Sequence, residues 1–403
     1  MPEASLPPGW HADAHALWQA GQRQPAIDAV LAHINVQGEP KPLPDVLQLS
    51  YYVFLCGDPA GAAAFLDRVR PAYPRHPELL SNLAVCMSRG GRPAEAVERA
   101  RELLAIEPRN VLAHDTICSA LHQLGDFAGA AHAGTRALAL KDGEHARATP
   151  GWHLPQGQAA ELADRPGCEH VIAFSLWGHD PRYLRGAIHN ALEAPGIYAG
   201  WALRFHVDET VPADVRAALT ELGADVRLEA PGQPLRARLG WRFQVANDPA
   251  VGRFLVRDVD SVVNERERHA VDEWIASGYW FHAMRDWWTH TDLLLAGMWG
   301  GVAGVLPPLA TMLSRYSPQA METPNVDQWF LRDEIWRYVR QSCLVHDRCF
   351  RPQGSRPWPD PDPTGSLHVG QNVFAVGREA QQERFASCGE RIPSLRLSRP
   401  AAK

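Results

Sequence analysis

From residue 7 to 142 the apolar positions recur at helical spacing, and the pattern itself repeats. Gly57, Gly91 and Gly125 stand 34 residues apart, and Ala62, Ala96 and Ala130 follow each by five. Leu104 and Leu138 fall in the same register, Pro74 and Pro108 close two of the units, and Gly21 and Ala26 form a diverged copy 36 residues upstream. A glycine suits the end of a first helix where the chain turns. A small alanine lets paired helices approach closely, and proline breaks the chain between units. The spacing therefore predicts about four helix–turn–helix units over residues 7–142. After residue 168 the pattern changes to short apolar runs alternating with amphipathic segments. VIAFSLWG (171–178), ALRFHVDE (202–209), DVRLE (225–229), RFLVRDVDS (253–261) and YWFHAMRD (279–286) read as strands. Residues 181–198, 211–224 and 266–278 read as helices, the first ending near Pro195-Gly196. This alternation predicts an α/β domain with a mainly parallel central sheet. Between the two patterns lies a stretch rich in Gly, Pro and small polar residues. The chain divides into a helical region at 1–145, a linker at 146–168, an α/β domain at 169–388 and a tail at 389–403.

Composition narrows the function classes. The 403 residues suffice for two or three domains. A net charge of -6 offers no basic field for nucleic acid. The start, MPEASLPPGW, lacks a basic segment followed by an apolar core, so no signal peptide is expected. No apolar stretch is long enough for a membrane span. Seven scattered cysteines, an odd number, suit free thiols in a reducing cytoplasm.

The candidate chemistry centres on Asp258-Val-Asp260, at the polar end of the apolar run Phe254–Val256. Two carboxylates at the end of a buried strand are costly unless paired, and a hard divalent cation with oxygen ligands would supply the missing charge. Arg257 could pair with one of them or with phosphate. Cys343-x-x-His346-x-x-Cys349 has the residue types of a zinc site but no fourth ligand at a recognisable spacing, so zinc is not expected.

The N-terminal period and residue types resemble the tetratricopeptide repeat, whose arrays stack into a superhelix with a concave face for a protein or peptide. Residues 170–375 resemble a GT-A-type nucleotide-diphospho-sugar transferase, an α/β Rossmann-like fold. More narrowly they are similar to a group of bacterial proteins with matching blocks at Phe174–Tyr183, Trp201–Asp208, Arg257–Ser261 and Met284–Gly300. A looser parallel with retaining transferases of the glycogenin type rests on Asp258/Asp260, Ala296-Gly297, Asp327-Gln328 and His368-Val369-Gly370, the last one residue short of that family's spacing.

The resemblance implies a metal-dependent glycosyltransferase using Mn²⁺ or Mg²⁺ and a nucleotide-sugar donor, a UDP-sugar being favoured. Asp258 and Asp260 are the implied metal ligands, Asp258 also facing the ribose. His368 is the candidate third ligand, with His346 its competitor. Phe174, Ser175, Leu176 and Trp177 at the first strand end, with Tyr183, Arg185, Arg257 and Arg285, are candidates for the nucleotide-sugar. Arg185 would reach a phosphate or lie on a solvated face. Trp287, Trp288 and His290 form a candidate wall for donor or acceptor. Asp286 or Asp327 would be the base of an inverting enzyme. Asp327 and Gln328 stand near the reacting sugar carbon, or Asp327 only caps the helix it opens. Two other classes remain: a repeat scaffold bearing an inactive transferase fold, and a metal-dependent phosphohydrolase or nucleotidyltransferase.

Overall fold

The computed structural model describes residues 6–318, 325–372 and 392–395. The chain forms two compact units that divide between Gly143 and Glu144.

Among the described residues the first unit is built from eight helices in four pairs. They are α1 (Ala12–Gln19), α2 (Arg23–Val36), α3 (Leu43–Leu55), α4 (Pro59–Val69), α5 (Pro77–Arg89), α6 (Pro93–Leu104), α7 (Val111–Gln123) and α8 (Phe127–His145). The repeat is visible in each turn, spaced 36 residues at the first interval and 34 at the next two. Gly21, Gly57, Gly91 and Gly125 follow the first helix of each pair with φ of +77°, +89°, +79° and +80°, a left-handed conformation that costs other residues energy. Ala26, Ala62, Ala96 and Ala130, five residues on, are all fully buried where paired helices meet. Pro59 and Pro93 open second helices, where a missing N–H costs nothing.

The second unit holds a seven-stranded mixed sheet among the described residues. Its strands are β1 (Glu169–Leu176), β2 (Trp201–Val207), β3 (Asp225–Leu228), β4 (Val251–Arg257), β5 (Phe281–Arg285), β6 (Met298–Val302) and β7 (Cys343–Asp347). Their order is β3-β2-β1-β4-β6-β5-β7. β1 pairs in parallel with β2 and β4, β2 with β3, and β5 with β7. β6 runs antiparallel between β4 and β5, so the predicted mainly parallel sheet carries one reversed strand. β6 and β7 were not among the expected strands. β6 contains Gly300 and Gly301, which have low strand propensity. Here Gly300 is required: a Cβ on it would overlap the Phe254 carbonyl oxygen of the neighbouring strand.

Helix α9 (Ala159–Ala163) precedes β1, and α10 (Pro181–Ile197), α11 (Ala213–Glu221), α12 (Leu235–Gly240) and α13 (Glu265–Ser277) lie between strands. α10 runs through Pro195 to Ile197 instead of ending there, because Pro195 sits in the last turn. The next bond, from Tyr198 N–H to the Ala194 carbonyl at 2.7 Å, is still made. α10 packs Leu184, Ala187, Ile188 and Ala191 into the core containing Ile172, Phe174, Phe205 and Leu255.

Residues 146–168 are not a free linker. Trp152 Nε1 donates to the Val305 carbonyl at 3.0 Å, and the Trp152 ring packs edge-on against Tyr338. Ala159 and Ala163 are buried. The Gly- and Pro-rich composition gives this segment irregular backbone, and its aromatic and alanine side chains still anchor it. The end of the α/β region at 388 and most of the tail lie outside the described residues. Cys56, Cys86, Cys118, Cys168, Cys343 and Cys349 are free thiols, and burial pushes Cys86, Cys343 and Cys349 up to about 12. Among the described residues no helix is long and apolar enough to cross a membrane.

The close helix pairing gives a direct test. Ala96→Leu should lower the stability of the repeat unit by about 1–3 kcal/mol, the usual cost of overpacking. Urea unfolding followed by circular dichroism measures it, and an unchanged midpoint would contradict close packing at Ala96.

Candidate functional site

The sheet order contains a switch point. From β1 the chain moves outward through β2 to β3, then returns to place β4 on the other side of β1. In open sheets of this kind a crevice opens beyond the carboxyl ends of the strands at such a point. Here that crevice is a cavity of about 330 Å³. Ser175 and Leu176 line it from β1, Trp177 just after β1, Asp258, Val259 and Asp260 just after β4, and Arg182 and Tyr183 from the first turn of α10. Leu235, Leu239 and Arg242 line it from α12 and the turn that follows. Ala296, Asn325, Asp327 and Gln328 complete the wall.

The Asp258–Asp260 turn is held from behind by Asn190 of α10, which is fully buried. Asn190 Nδ2 donates to the carbonyls of Gly186, Val259 and Ser261 at 2.9, 3.2 and 3.0 Å, and Oδ1 accepts the Val263 N–H at 3.1 Å. Gly186 allows the approach, since a Cβ there would overlap the Val259 carbonyl oxygen. Gly297 does the same on the other side, where a Cβ would strike the Asp258 carboxylate. Ser261 bridges to Asn372, and its Oγ donates to the Gln371 carbonyl at 3.3 Å.

Two arginines neutralise the acidic groups. Arg242 is buried and bridges two of them, with Nη1 on Asp258 Oδ1 at 2.5 Å and Nη2 on Asp327 Oδ2 at 2.9 Å. Its Nη1 also donates to the Arg257 carbonyl at 2.8 Å, and its backbone N–H to Ser175 Oγ at 3.0 Å. Arg182 pairs with Asp260 through Nε at 2.7 Å and through Nη2. Burial, reinforced by the nearby Asp258 charge, raises the pKa of Asp260 despite Arg182. Asp327 is pushed up to about 6, chiefly by burial and further by Asp258, with Arg242 opposing.

Of the residues singled out from sequence, Ser175, Leu176, Trp177, Tyr183, Asp258, Asp260, Asp327 and Gln328 line one cavity. Gln328 Nε2 donates to Asp292. Asp327 is the second residue of the helix Val326–Phe330, whose N-cap is Asn325, so it does not cap that helix; it accepts the Gln328 N–H at 2.8 Å.

Other candidates lie elsewhere. Phe174 points into the core, stacked on Phe205 at 4.7 Å, because side chains alternate along β1. Arg257 turns away from the cavity into a buried pair with Glu267 at 3.0 Å, and Glu267 also accepts the Tyr198 hydroxyl at 2.9 Å. Arg285 is buried on Asp347 at 2.7 Å, its partner in register on β7. Arg185 is half-buried and donates to the Leu395 carbonyl at 3.2 Å.

Asp286 is fully buried away from the cavity wall, between Arg266 at 3.3 Å and Arg348 at 3.4 Å, and accepts the Val369 N–H at 2.8 Å. Burial raises its pKa, with the Val369 N–H, Arg266 and Arg348 opposing, and it is not among the residues that line the cavity. His368 stacks on Trp287 with centroids 4.5 Å apart, and its Nδ1 meets the Ser366 carbonyl at 2.8 Å. It is not among the residues that line the cavity with the Asp pair, and after it Gln371 and Asn372 meet Ser261. His346 is fully buried between His282 at 2.8 Å and Glu273 at 3.0 Å. Among the described residues no three His, Cys, Asp or Glu side chains converge as a metal-binding set.

Arg182, Arg242 and Asn190 escaped the sequence reading. Arg242 left one trace: a charge inside the apolar run Trp241-Arg242-Phe243 needs a buried partner. Asn190 on an otherwise apolar helix face carries the same signal.

Replacing Asn190 tests the turn's support. Asn190→Leu would leave the buried Val263 N–H without its partner, and should destabilise the second unit by at least about 2 kcal/mol. Guanidinium unfolding reads this, and an unaltered midpoint would mean that the turn holds itself.

A tetratricopeptide-repeat family model matches residues 56–117. No curated protein matches the chain. Among solved structures the chain is similar to a mutant O-GlcNAc transferase of Thermobaculum terrenum, at 17% identity over 55% of this chain and 41% of that one, with a TM-score of 0.37. It is also similar to MamA from Desulfovibrio magneticus RS-1, at 16% identity over 34% of this chain and 75% of that one, TM-score 0.30. YrrB, described as a TPR protein with an unusual peptide-binding site, matches at 13% identity over 32% of this chain and 64% of that one, TM-score 0.29. The chain spans less than half of the transferase it matches. The repeat period, its left-handed glycines and the family match together identify residues 56–117 as tetratricopeptide repeat.

Proposed function

We propose that this chain is a metal-dependent glycosyltransferase with a GT-A-type domain. It would move a sugar from a nucleotide-sugar, a UDP-sugar being favoured, to a protein or peptide acceptor recruited by the repeats. One observation carries the reading: Asp258 and Asp260 share a switch-point cavity with the end of β1 and with Asp327 and Gln328.

The donor set fits a hard divalent cation such as Mn²⁺ or Mg²⁺. Two carboxylates face one cavity, and each is paired with a guanidinium. Such cations are often held by one or two carboxylates, completing their shell with water and substrate phosphate oxygens. No third protein ligand is then required, which removes the need for His368. When bound, the cation would offset charge on the departing diphosphate.

The remaining work falls to side chains. Trp177 and Tyr183 offer ring faces to base or sugar. Gln328 hydrogen-bonds and orients the sugar. Asp327, ionised above about pH 6, takes the acceptor hydroxyl's proton on a carboxylate oxygen if the reaction inverts. If it retains, the phosphate takes that proton and Asp327 faces the positive charge developing on the sugar carbon. The anomeric configuration of the product separates the two. The arginine pairs on both carboxylates favour one rival, a repeat scaffold with an inactive transferase fold. Turnover of a sugar nucleotide with Mn²⁺ excludes it.

Three outcomes follow. Asp260→Ala should weaken Mn²⁺-dependent UDP binding at least about 100-fold while the melting temperature holds; calorimetry that finds full-strength binding would falsify the assignment. Because Asp327 must lose its proton, donor turnover should rise about tenfold per pH unit below about 6 and level off above it. A rate profile of Asp327→Asn that keeps this limb would rule out Asp327 as its origin. A fragment of residues 144–403 should hydrolyse the donor but lose transfer to the natural acceptor; equal transfer by the fragment would show that the repeats do not recruit it.

A further inference from the structure

Asp258 and Asp260 are each neutralised by an arginine, but the two arginines differ in kind. Arg242 is locked: it is buried and bound to Asp258, Asp327 and the Arg257 carbonyl at once. Arg182 is loose. Its side chain is 46% exposed, while that of Asp260 is only 13% exposed. Its Nε and Nη2 both fall on the same atom, Asp260 Oδ2. Both residues line the cavity, Arg182 from the first turn of α10 with its guanidinium over the Tyr183 ring at 5.2 Å.

An exposed ion pair of this kind strengthens association by no more than about fivefold. A divalent cation held by Asp260 would interact with its carboxylate more strongly than that and would put a like charge beside Arg182, favouring release of the guanidinium. The anion that enters with the cation is the diphosphate. Its oxygens suit a planar guanidinium, which can donate two parallel N–H bonds to them.

We propose that Arg182 is a displaceable counter-ion, which holds Asp260 while the site lacks metal and passes to the donor's diphosphate when the cation binds. This rests on the metal-dependent transferase reading. It makes Arg182 a positioning residue with opposite effects on two ligands: it competes with the metal and it supports the nucleotide.

The opposition is the test. Mn²⁺ binding without nucleotide, followed by the electron paramagnetic resonance of free Mn²⁺, should be about threefold to fivefold tighter in Arg182→Gln than in wild type. UDP binding at saturating Mn²⁺, followed by calorimetry, should be about tenfold or more weaker in the same variant. Arg182→Lys, which keeps the charge but not the planar fork, should fall between the two for UDP. Melting curves confirm that both variants are folded. Equal binding of both ligands by wild type and Arg182→Gln would overturn the exchange. So would a loss of both together. UDP binding to wild type without Mn²⁺ that vanishes in Arg182→Gln would also overturn it, making Arg182 a permanent substitute for the metal. A wild-type protein that binds neither Mn²⁺ nor UDP would remove the transferase reading along with the exchange. Failure confined to the variant comparison leaves that reading standing.

Discussion

A single buried guanidinium ties the candidate site together. Arg242 joins Asp258 after β4, Asp327 in the helix Val326–Phe330, the Arg257 carbonyl and, through its backbone, Ser175 of β1. Without it the buried Asp327 carboxylate would stand uncompensated in the cavity wall. Breaking a buried pair from one side is strongly destabilising, by about 3–5 kcal/mol, because the other charge stays behind. The same bridge sets the protonation of the wall. Burial raises Asp327 to about 6, and Arg242 keeps it from rising further. The site is thus an acidic cavity only partly neutralised from within, which is the electrostatic condition under which an external cation binds.

Much of this was legible in the order of residues. The glycine–alanine period forced the helical pairs, because only a residue free to take positive φ ends each first helix and only a small one fits at each crossing. Asp258-Val-Asp260 stood out because an apolar strand ended in two carboxylates. Ser175, Trp177, Asp327 and Gln328 were recoverable because they stand at the ends of recognisable elements.

What was hidden depended on pairings distant in sequence. Arg257 looked like a phosphate ligand because it adjoins Asp258, but neighbours at a strand end point to opposite sides, and Glu267 was there to receive it. Arg285 and Asp286 looked functional because β7, which brings Asp347, was not recognised as a strand, nor were Arg266 and Arg348 recognised as partners. His368 came within one residue of a family's spacing, yet its ring is engaged by Trp287. Arg182 and Arg242 acquire meaning only when helices far from Asp260 and Asp258 fold over them. Ion pairs within the site were therefore the least readable layer, and they decide which charges reach the cavity.

The central claim is that Asp258 and Asp260 form a divalent-cation site for a nucleoside diphosphate. The most direct measurement is anomalous diffraction at the manganese edge from crystals of the full chain grown with MnCl₂ and UDP. The account predicts a single strong peak in contact with both carboxylates and with diphosphate oxygens, beside Ser175 and Trp177. No peak there, with ordered UDP bound elsewhere or Asp260 still paired with Arg182, would contradict it.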